Sequence, residues 1–464
     1  MREALLLVVV VVLILGGVAS SKFALLSYIW FAVMRPDVLA WSPDRPYSFA
    51  LGTIAALSCL RDFPHVLPAL YSRWLLLLCL YWVLVVLSAV FSLHQTESLL
   101  MLRVFSPTML TATLIPVVLR TKEDMRLLFL VIAFSLGLLG LKFGLWGVLA
   151  GGASFTSGYG GSLSDNNLFA LGMVIGFPLC WYARYLVTSR KWKLTYLVFC
   201  IFMPAAIVMS HSRGGILSLG CCVLFLIWYS KRRILSGFAL FAFLFFSVIL
   251  VKDSIVERMS TLTAVEEDAS AQGRLAHWRA ALQMSRDYPL LGVGFGGIPY
   301  TREISRYLSF DSHHFAHNNY LQITTDSGYP AAIVFCILQF GMLLWFWRTG
   351  ATFKGKDDSL YAMSMGMCAA LIGFSVGSMF LSRAFYETIY YLIAFGCGLF
   401  AVVSRIEGER SHNFGANLEP LPSAASVTSS NVSDGSKQTK YKLGGRLRVS
   451  APGIAHGRDW RGRR

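Results

Sequence analysis

Three histidines stand within five residues, at His313, His314 and His317, and two amides, Asn318 and Asn319, follow them. An imidazole titrates near neutrality and can take the proton of an attacking hydroxyl. His317, beside the amides, is best placed for that work, with Asn318 as a neighbour able to contact substrate. His313 and His314 are runners-up. A metal site is the competing reading. No cysteine accompanies the cluster, and Asp311 and Asp326 do not stand at ligand spacing. Neither a metal nor a cofactor is expected. Two arginines offer complementary chemistry, because a guanidinium can grip a phosphate with two parallel hydrogen bonds. Arg213 lies in His211-Ser212-Arg213-Gly214-Gly215, where the glycines let the backbone pack closely at the start of an apolar block. Arg274 falls on a helical pattern from Ser270 to Leu282, where Arg274, Trp278 and Ala281 share one face. The bland alternatives are a lipid-phosphate anchor for Arg213 and a local pair with Asp268 for Arg274.

These residues are carried by a chain that must live in a membrane. Its 464 residues are 55% hydrophobic and 14% charged, with a mean hydropathy of +0.58. A soluble domain of this size carries about 25% charged residues. Apolar blocks near 20 residues long, the length that crosses a hydrocarbon core as a helix, run approximately over 3–19, 23–40, 47–61, 73–93, 99–119, 126–148, 167–187, 193–210, 214–230, 234–251, 328–347, 359–381 and 385–404. The fold class is therefore an all-α polytopic membrane protein of about 12–13 transmembrane helices, with one large, partly helical loop. Residues 1–20 also fit a signal peptide, although another apolar segment follows almost at once.

Charge placement orients the bundle. Arg61/Arg73, Arg120/Lys122/Arg126, Arg184/Arg190/Lys191/Lys193, Lys231/Arg232/Arg233 and Arg348/Lys354/Lys356 fall on one side, while 94–98 and 151–166 carry no Lys or Arg. The rich side is cytoplasmic by the positive-inside rule, which makes this a multi-pass protein of a bacterial inner membrane. Outside lie the loop 252–327, the turn at 211–215 and the loop 151–166. The expected organisation is a transmembrane bundle over 1–251, the extracytoplasmic catalytic loop over 252–327, further transmembrane helices over 328–405, and a disordered basic cytoplasmic tail over 406–464. That tail holds much of the net charge of +16: nine Lys/Arg against Asp459 from Gly435 onward. The loop itself has seven Lys/Arg against nine Asp/Glu, a net charge of −2. Such a distribution argues against nucleic acid as a partner. All nine cysteines lie in apolar blocks, which argues against a disulfide framework.

Within the loop, the helix around Arg274 should be capped by Asp268 or Ser270 and end before Pro289. Gly292, Gly294 and Gly297 match G-x-G-x-x-G by spacing, but a dinucleotide site needs a strand before and a helix after in a βαβ unit. A tight turn at the membrane surface is expected instead. Two further cations sit inside apolar blocks: Arg103 about one turn, and Lys142 about two turns, from the outer ends of theirs. Each either snorkels outward or lines an outward pocket for an anionic lipid headgroup.

Taken together, Ser212-Arg213-Gly214-Gly215, Gly273-Arg274 with Trp278, Pro289-Leu-Leu-Gly-Val-Gly-Phe-Gly and Ala316-His317-Asn318-Asn319-Tyr320-Leu321-Gln322 resemble the O-antigen ligase and polymerase superfamily. Tyr28-Ile29-Trp30, Met34-Arg35-Pro36, Leu39-Ala40-Trp41 and Asp165-Asn166-Asn167 look like its exosortase-associated O-glycosylation ligase branch. The likeness covers about residues 1–405. It implies metal-independent transfer of a glycan from a polyprenyl-diphosphate carrier to a hydroxyl of a protein, lipid or glycan acceptor outside the membrane. It also implies that Arg213 and Arg274 hold the diphosphate and that His317 activates the acceptor. Arg103 and Lys142 would support the same headgroup by their depth. A repeat-unit polymerase shares this donor chemistry, and a transporter or flippase of lipid-linked glycan is the alternative from another class, although no inverted repeat is visible.

Overall fold

The computed structural model describes residues 2–40, 46–150, 157–160, 163–230, 264–308, 315–380 and 386–416. In hydrocarbon every backbone N–H and C=O must be satisfied internally, so the apolar blocks fold as helices. The first half of the chain gives α1 (Arg2–Ala19), α2 (Ser21–Met34), α3 (Pro36–Leu39), α4 (Tyr47–Cys59), α5 (Val66–Leu70), α6 (Arg73–Val90), α7 (Gln95–Val118) and α8 (Lys122–Leu149). The second half gives α9 (Asn166–Leu186), α10 (Arg190–Met209), α11 (Arg213–Tyr229), α12 (Ala264–Asp287), α13 (Ile298–Glu303), α14 (Asn319–Phe353), α15 (Asp358–Gly377) and α16 (Glu387–Ala416). The expected block 234–251, the histidines His313 and His314, and the tail from 417 lie outside the described residues. α16 runs ten residues past the expected start of the tail.

The protein is an all-α polytopic membrane protein. Among the described residues nine helices are long and apolar enough to cross: α1, α6 to α10, and α14 to α16. The other three apolar blocks form shorter helices. α2, α4 and α11 have 14, 13 and 17 residues, about 20–26 Å at 1.5 Å per residue, against a hydrocarbon core of about 30 Å. The estimate of 12–13 counted them as full crossings. α2 stops where Arg35 turns left-handed, at φ 49°. The loop after α8 holds a small antiparallel hairpin, β1 (Ser157–Gly160) with β2 (Leu163–Asp165), that the sequence did not suggest.

Side-chain pairs sort the helix ends into two groups. At one end Lys22 pairs with Asp124 at 2.9 Å, Arg120 with Asp62 at 3.3 Å and Lys122 with Asp357 at 2.8 Å. At the other, the loop end, Tyr159 Oη donates to Arg35 O at 2.7 Å, and Asn166 Nδ2 donates to Ser210 O at 2.9 Å. The Leu93 amide there donates to Val293 O at 3.0 Å. α9, α15 and α16 form the centre of the bundle, buried along most of their apolar length. α1, α2 and α4 pack around a separate small core of Leu6, Val10, Phe31 and Leu51.

The element that matters most is α14. Gly328 breaks it with φ 79° and ψ 171°, a conformation open only to glycine. Beyond the break the chain doubles back. Tyr320 and Gln339 are 19 residues apart, yet Gln339 Nε2 donates to Tyr320 Oη at 2.8 Å, and the Tyr320 and Phe340 rings stack at 6.1 Å. A straight helix would hold them about 28 Å apart. α14 is therefore a helical hairpin: a nine-residue re-entrant arm over 319–327, then a crossing arm over 329–353. At eight residues from Gly328, Tyr320 lies about 12 Å down the bundle from the apex.

Candidate functional site

Residues within 264–308 and 315–318 build a small core of their own over the loop end. Ala280, Ala281, Met284, Val293, Tyr300, Ile304 and Ala316 are buried together, with Trp278 and Phe315 packed on them. The helix carrying Arg274 begins at Ala264, not at Ser270, so Asp268 and Ser270 lie inside it and do not cap it. A run free of proline lets the helix grow backward, and Pro289 stops it at Asp287, as expected. Arg274 is exposed, one turn before Trp278. The unlooked-for member of this face is His277. It is buried, and its Nδ1 lies 3.4 Å from Tyr300 Oη. Burial first, and the Asp326 carboxylate second, push the Tyr300 phenol up from its ordinary value.

The glycine segment is the expected tight turn. Gly292, Gly294, Gly296 and Gly297 all have positive φ, and the element directly before them is the helix α12, not a strand. The Val293 and Gly294 amides donate to Thr325 O and Asp326 O at 2.8 and 3.1 Å. A Cβ at Gly294 would overlap the Ser92 hydroxyl. The turn thus pins the re-entrant arm against the ends of α6 and α7. Polar contacts reinforce it: His94 Nε2 lies 2.8 Å from Glu303, and Arg302 pairs with Glu97 at 2.5 Å.

His317 sits at the foot of the re-entrant arm, exposed and left-handed, at φ 49°. Asn318 caps that arm, its Oδ1 accepting from the Tyr320 and Leu321 amides at 3.0 and 3.2 Å. Its oxygen is therefore committed to the backbone. Irregular backbone at membrane depth is tolerated only where it is buried in protein or lines a wet cavity. Ala316 and Asn318 meet the first condition, while His317 is exposed.

Three contacts link the segment around this histidine to the helices that carry the two arginines. Trp278 Nε1 donates to Ala316 O at 2.7 Å, which ties the helix of Arg274 to the residue before His317. The Asn319 amide donates to Ser378 O at 2.8 Å, which ties the arm to the end of α15. Two residues on, the Phe380 Cβ would be 3.1 Å from a Cβ on Gly214, beside Arg213. Arg213 itself opens α11, exposed, after Ser212 caps the helix by accepting from the Gly215 amide at 3.1 Å. Asn166, at the start of α9, reaches the same turn through Ser210. α9, α11 and α14 therefore begin close together at the loop end, with the positive ends of their dipoles there.

Trp278→Phe, which removes the indole donor and part of the ring system, is expected to weaken this linkage by about 0.5–1.5 kcal/mol from the lost hydrogen bond alone. Hydrogen exchange of the Ala316–Asn319 amides would rise, and unchanged protection would show that the bond holds nothing.

Arg103 and Lys142 stand apart from this chain of contacts. α7 begins at Gln95, so Arg103 lies eight residues in, about 12 Å, which is deeper than the single turn expected. It is exposed, on the face of Leu100 and Val104, and forms no ion pair among the described residues. Lys142 lies about two turns from the end of α8, as expected. Its Nζ stands 5.0 Å from the Phe143 ring and 5.4 Å from Tyr159, a cation–π placement. Arg103→Gln is expected to leave transfer within about twofold, the scale of a surface substitution. A tenfold loss in a transfer assay would restore Arg103 to the site.

Residues 198–336 match the family model for O-antigen ligase. That span takes in Arg213, Arg274, Trp278, His317, Asn318 and the whole re-entrant arm. Residues 1–188 match a family of unknown function, DUF5935. Among curated proteins none matches the chain.

Proposed function

Because this chain belongs to the O-antigen ligase superfamily, we propose that it transfers a glycan from a polyprenyl-diphosphate carrier to an acceptor hydroxyl on the outer face of the inner membrane. Membership carries a membrane glycan-transfer function and lipid-linked glycan substrates in general. The finer reading is supported by one observation: contacts through Ala316, Asn319, Ser378 and Phe380 link the segments that carry Arg213, His317 and Arg274 at the end of the bundle poor in lysine and arginine.

In this reading Arg213 and Arg274 grip the diphosphate. As the bond between the anomeric carbon and the phosphate oxygen breaks, the leaving polyprenyl diphosphate keeps the electron pair. Fixed guanidinium donors stabilise the added charge, and the starts of α9, α11 and α14 add their positive ends. The acceptor oxygen attacks from the opposite side and inverts the anomeric centre, while His317 takes its proton. The charge of the diphosphate is met by guanidinium groups without a metal. The loop end is extracytoplasmic and the basic tail cytoplasmic. The acceptor is a protein, lipid or glycan hydroxyl.

Carrier lipids extracted from cells lacking the protein test this reading. Accumulated polymerised glycan on the carrier is expected of a ligase. Single repeat units on the carrier would make the protein a polymerase, and full-length glycan trapped on the cytoplasmic leaflet would make it a flippase.

A further inference from the structure

Gln339 is a fully buried amide in the middle of the crossing arm of α14. Placing an amide in apolar surroundings is costly unless its hydrogen bonds are made. Its Nε2 makes two, to Tyr320 Oη and to Ser375 Oγ, each at 2.8 Å. Tyr320 belongs to the re-entrant arm, three residues after His317, and Ser375 belongs to α15. One amide thus joins three segments: the crossing arm, the arm that carries the histidine, and the helix whose end holds the Asn319 amide. The joint is closed by Tyr320 Oη donating to Ser375 O at 3.3 Å and by Ser375 Oγ donating to Leu371 O at 2.7 Å. Gln339 Oε1 has no hydrogen-bond partner among the described residues, so the work of this side chain is done by its NH₂ group.

We infer that Gln339 is a positioning residue, a latch that holds the re-entrant arm against α15 and so fixes His317 relative to Arg213. This rests on the function proposed above, since the latch matters to catalysis only if His317 acts there. Gln339 touches no reacting atom in this account. Its loss acts through the aim of the imidazole, and small misplacements of a catalytic group are costly.

Gln339→Met keeps the length of the side chain and removes both donors. In the full-length protein in lipid nanodiscs, backbone hydrogen exchange over 319–327 is expected to rise on the order of tenfold. With a polyprenyl-diphosphate-linked glycan as donor, kcat should fall on the order of tenfold while the donor KM stays within about twofold, because diphosphate binding is left intact. If the variant fails to accumulate in the membrane, Tyr320→Phe carries the test, since it keeps the ring on Phe340 and deletes only the hydroxyl. Unchanged exchange over 319–327 would overturn the latch, and raised exchange with an unchanged kcat would overturn the positioning role. A wild-type protein that transfers nothing would count against the proposed function, while exchange would still decide the latch.

Discussion

His317→Ala is expected to lower glycan transfer by about 10²–10⁴-fold, the usual contribution of a positioned general base, while the protein stays folded in the membrane. The imidazole is exposed at the foot of the arm, and Asn318, not His317, supplies the helix cap. The substitution therefore leaves that cap intact. Arg213→Ala and Arg274→Ala should each lower transfer on the order of 10²–10³-fold, by removing a fixed donor to a developing charge. The three losses should not multiply, because the groups act on one event. Transfer of glycan to acceptor by each single variant and the triple variant measures this. Three variants with full transfer would show that the assigned residues do not carry the reaction.

Gly328→Ala is the second large effect. At φ 79° and ψ 171° a β-carbon is strained by about 1–3 kcal/mol, and here it would also overlap the Leu290 carbonyl. The chain must relax, and what it moves is the apex that sets the depth of the re-entrant arm. The expected outcome is a lower thermal midpoint together with a loss of transfer of tenfold or more, on the order expected for a misplaced catalytic group. Gly220→Ala is the control. It lies inside α11 with nothing near its added carbon, and should be neutral or slightly stabilising. Equal behaviour of the two variants would mean that the apex is not a fixed point of the fold.

The crossings were legible because hydrophobic length is a one-dimensional signal. Blocks such as 126–148 and 193–210 need only be apolar over about 20 residues. Their ends were less legible: α7 begins four residues before its apolar block because Gln95, Thr96 and Glu97 are polar yet helical. The candidate residues, a base and two guanidinium groups, could be picked out by type alone, but the cap made by Asn318, read there as a substrate contact, could not. The re-entrant arm was not legible. Asn319–Ser327 is too short to span and too polar to score as hydrophobic, so it passed for the end of a loop. The signal was there in Gly328-Tyr329-Pro330, a glycine and a proline two residues apart at the head of an apolar block. Nor could spacing reveal Gln339, whose partners lie 19 and 36 residues away. For Arg103 neither depth nor face was legible: α7 starts four residues before its apolar block, which puts Arg103 about 12 Å in, on the face of Leu100 and Val104.

The most direct measurement is a cryo-EM structure of the protein in a lipid nanodisc with polyprenyl diphosphate bound. The account predicts density for the two phosphates between the guanidinium groups of Arg213 and Arg274, at the start of α11, with the His317 imidazole facing them. Diphosphate seated elsewhere on the bundle, or an imidazole turned away from it, would contradict the account.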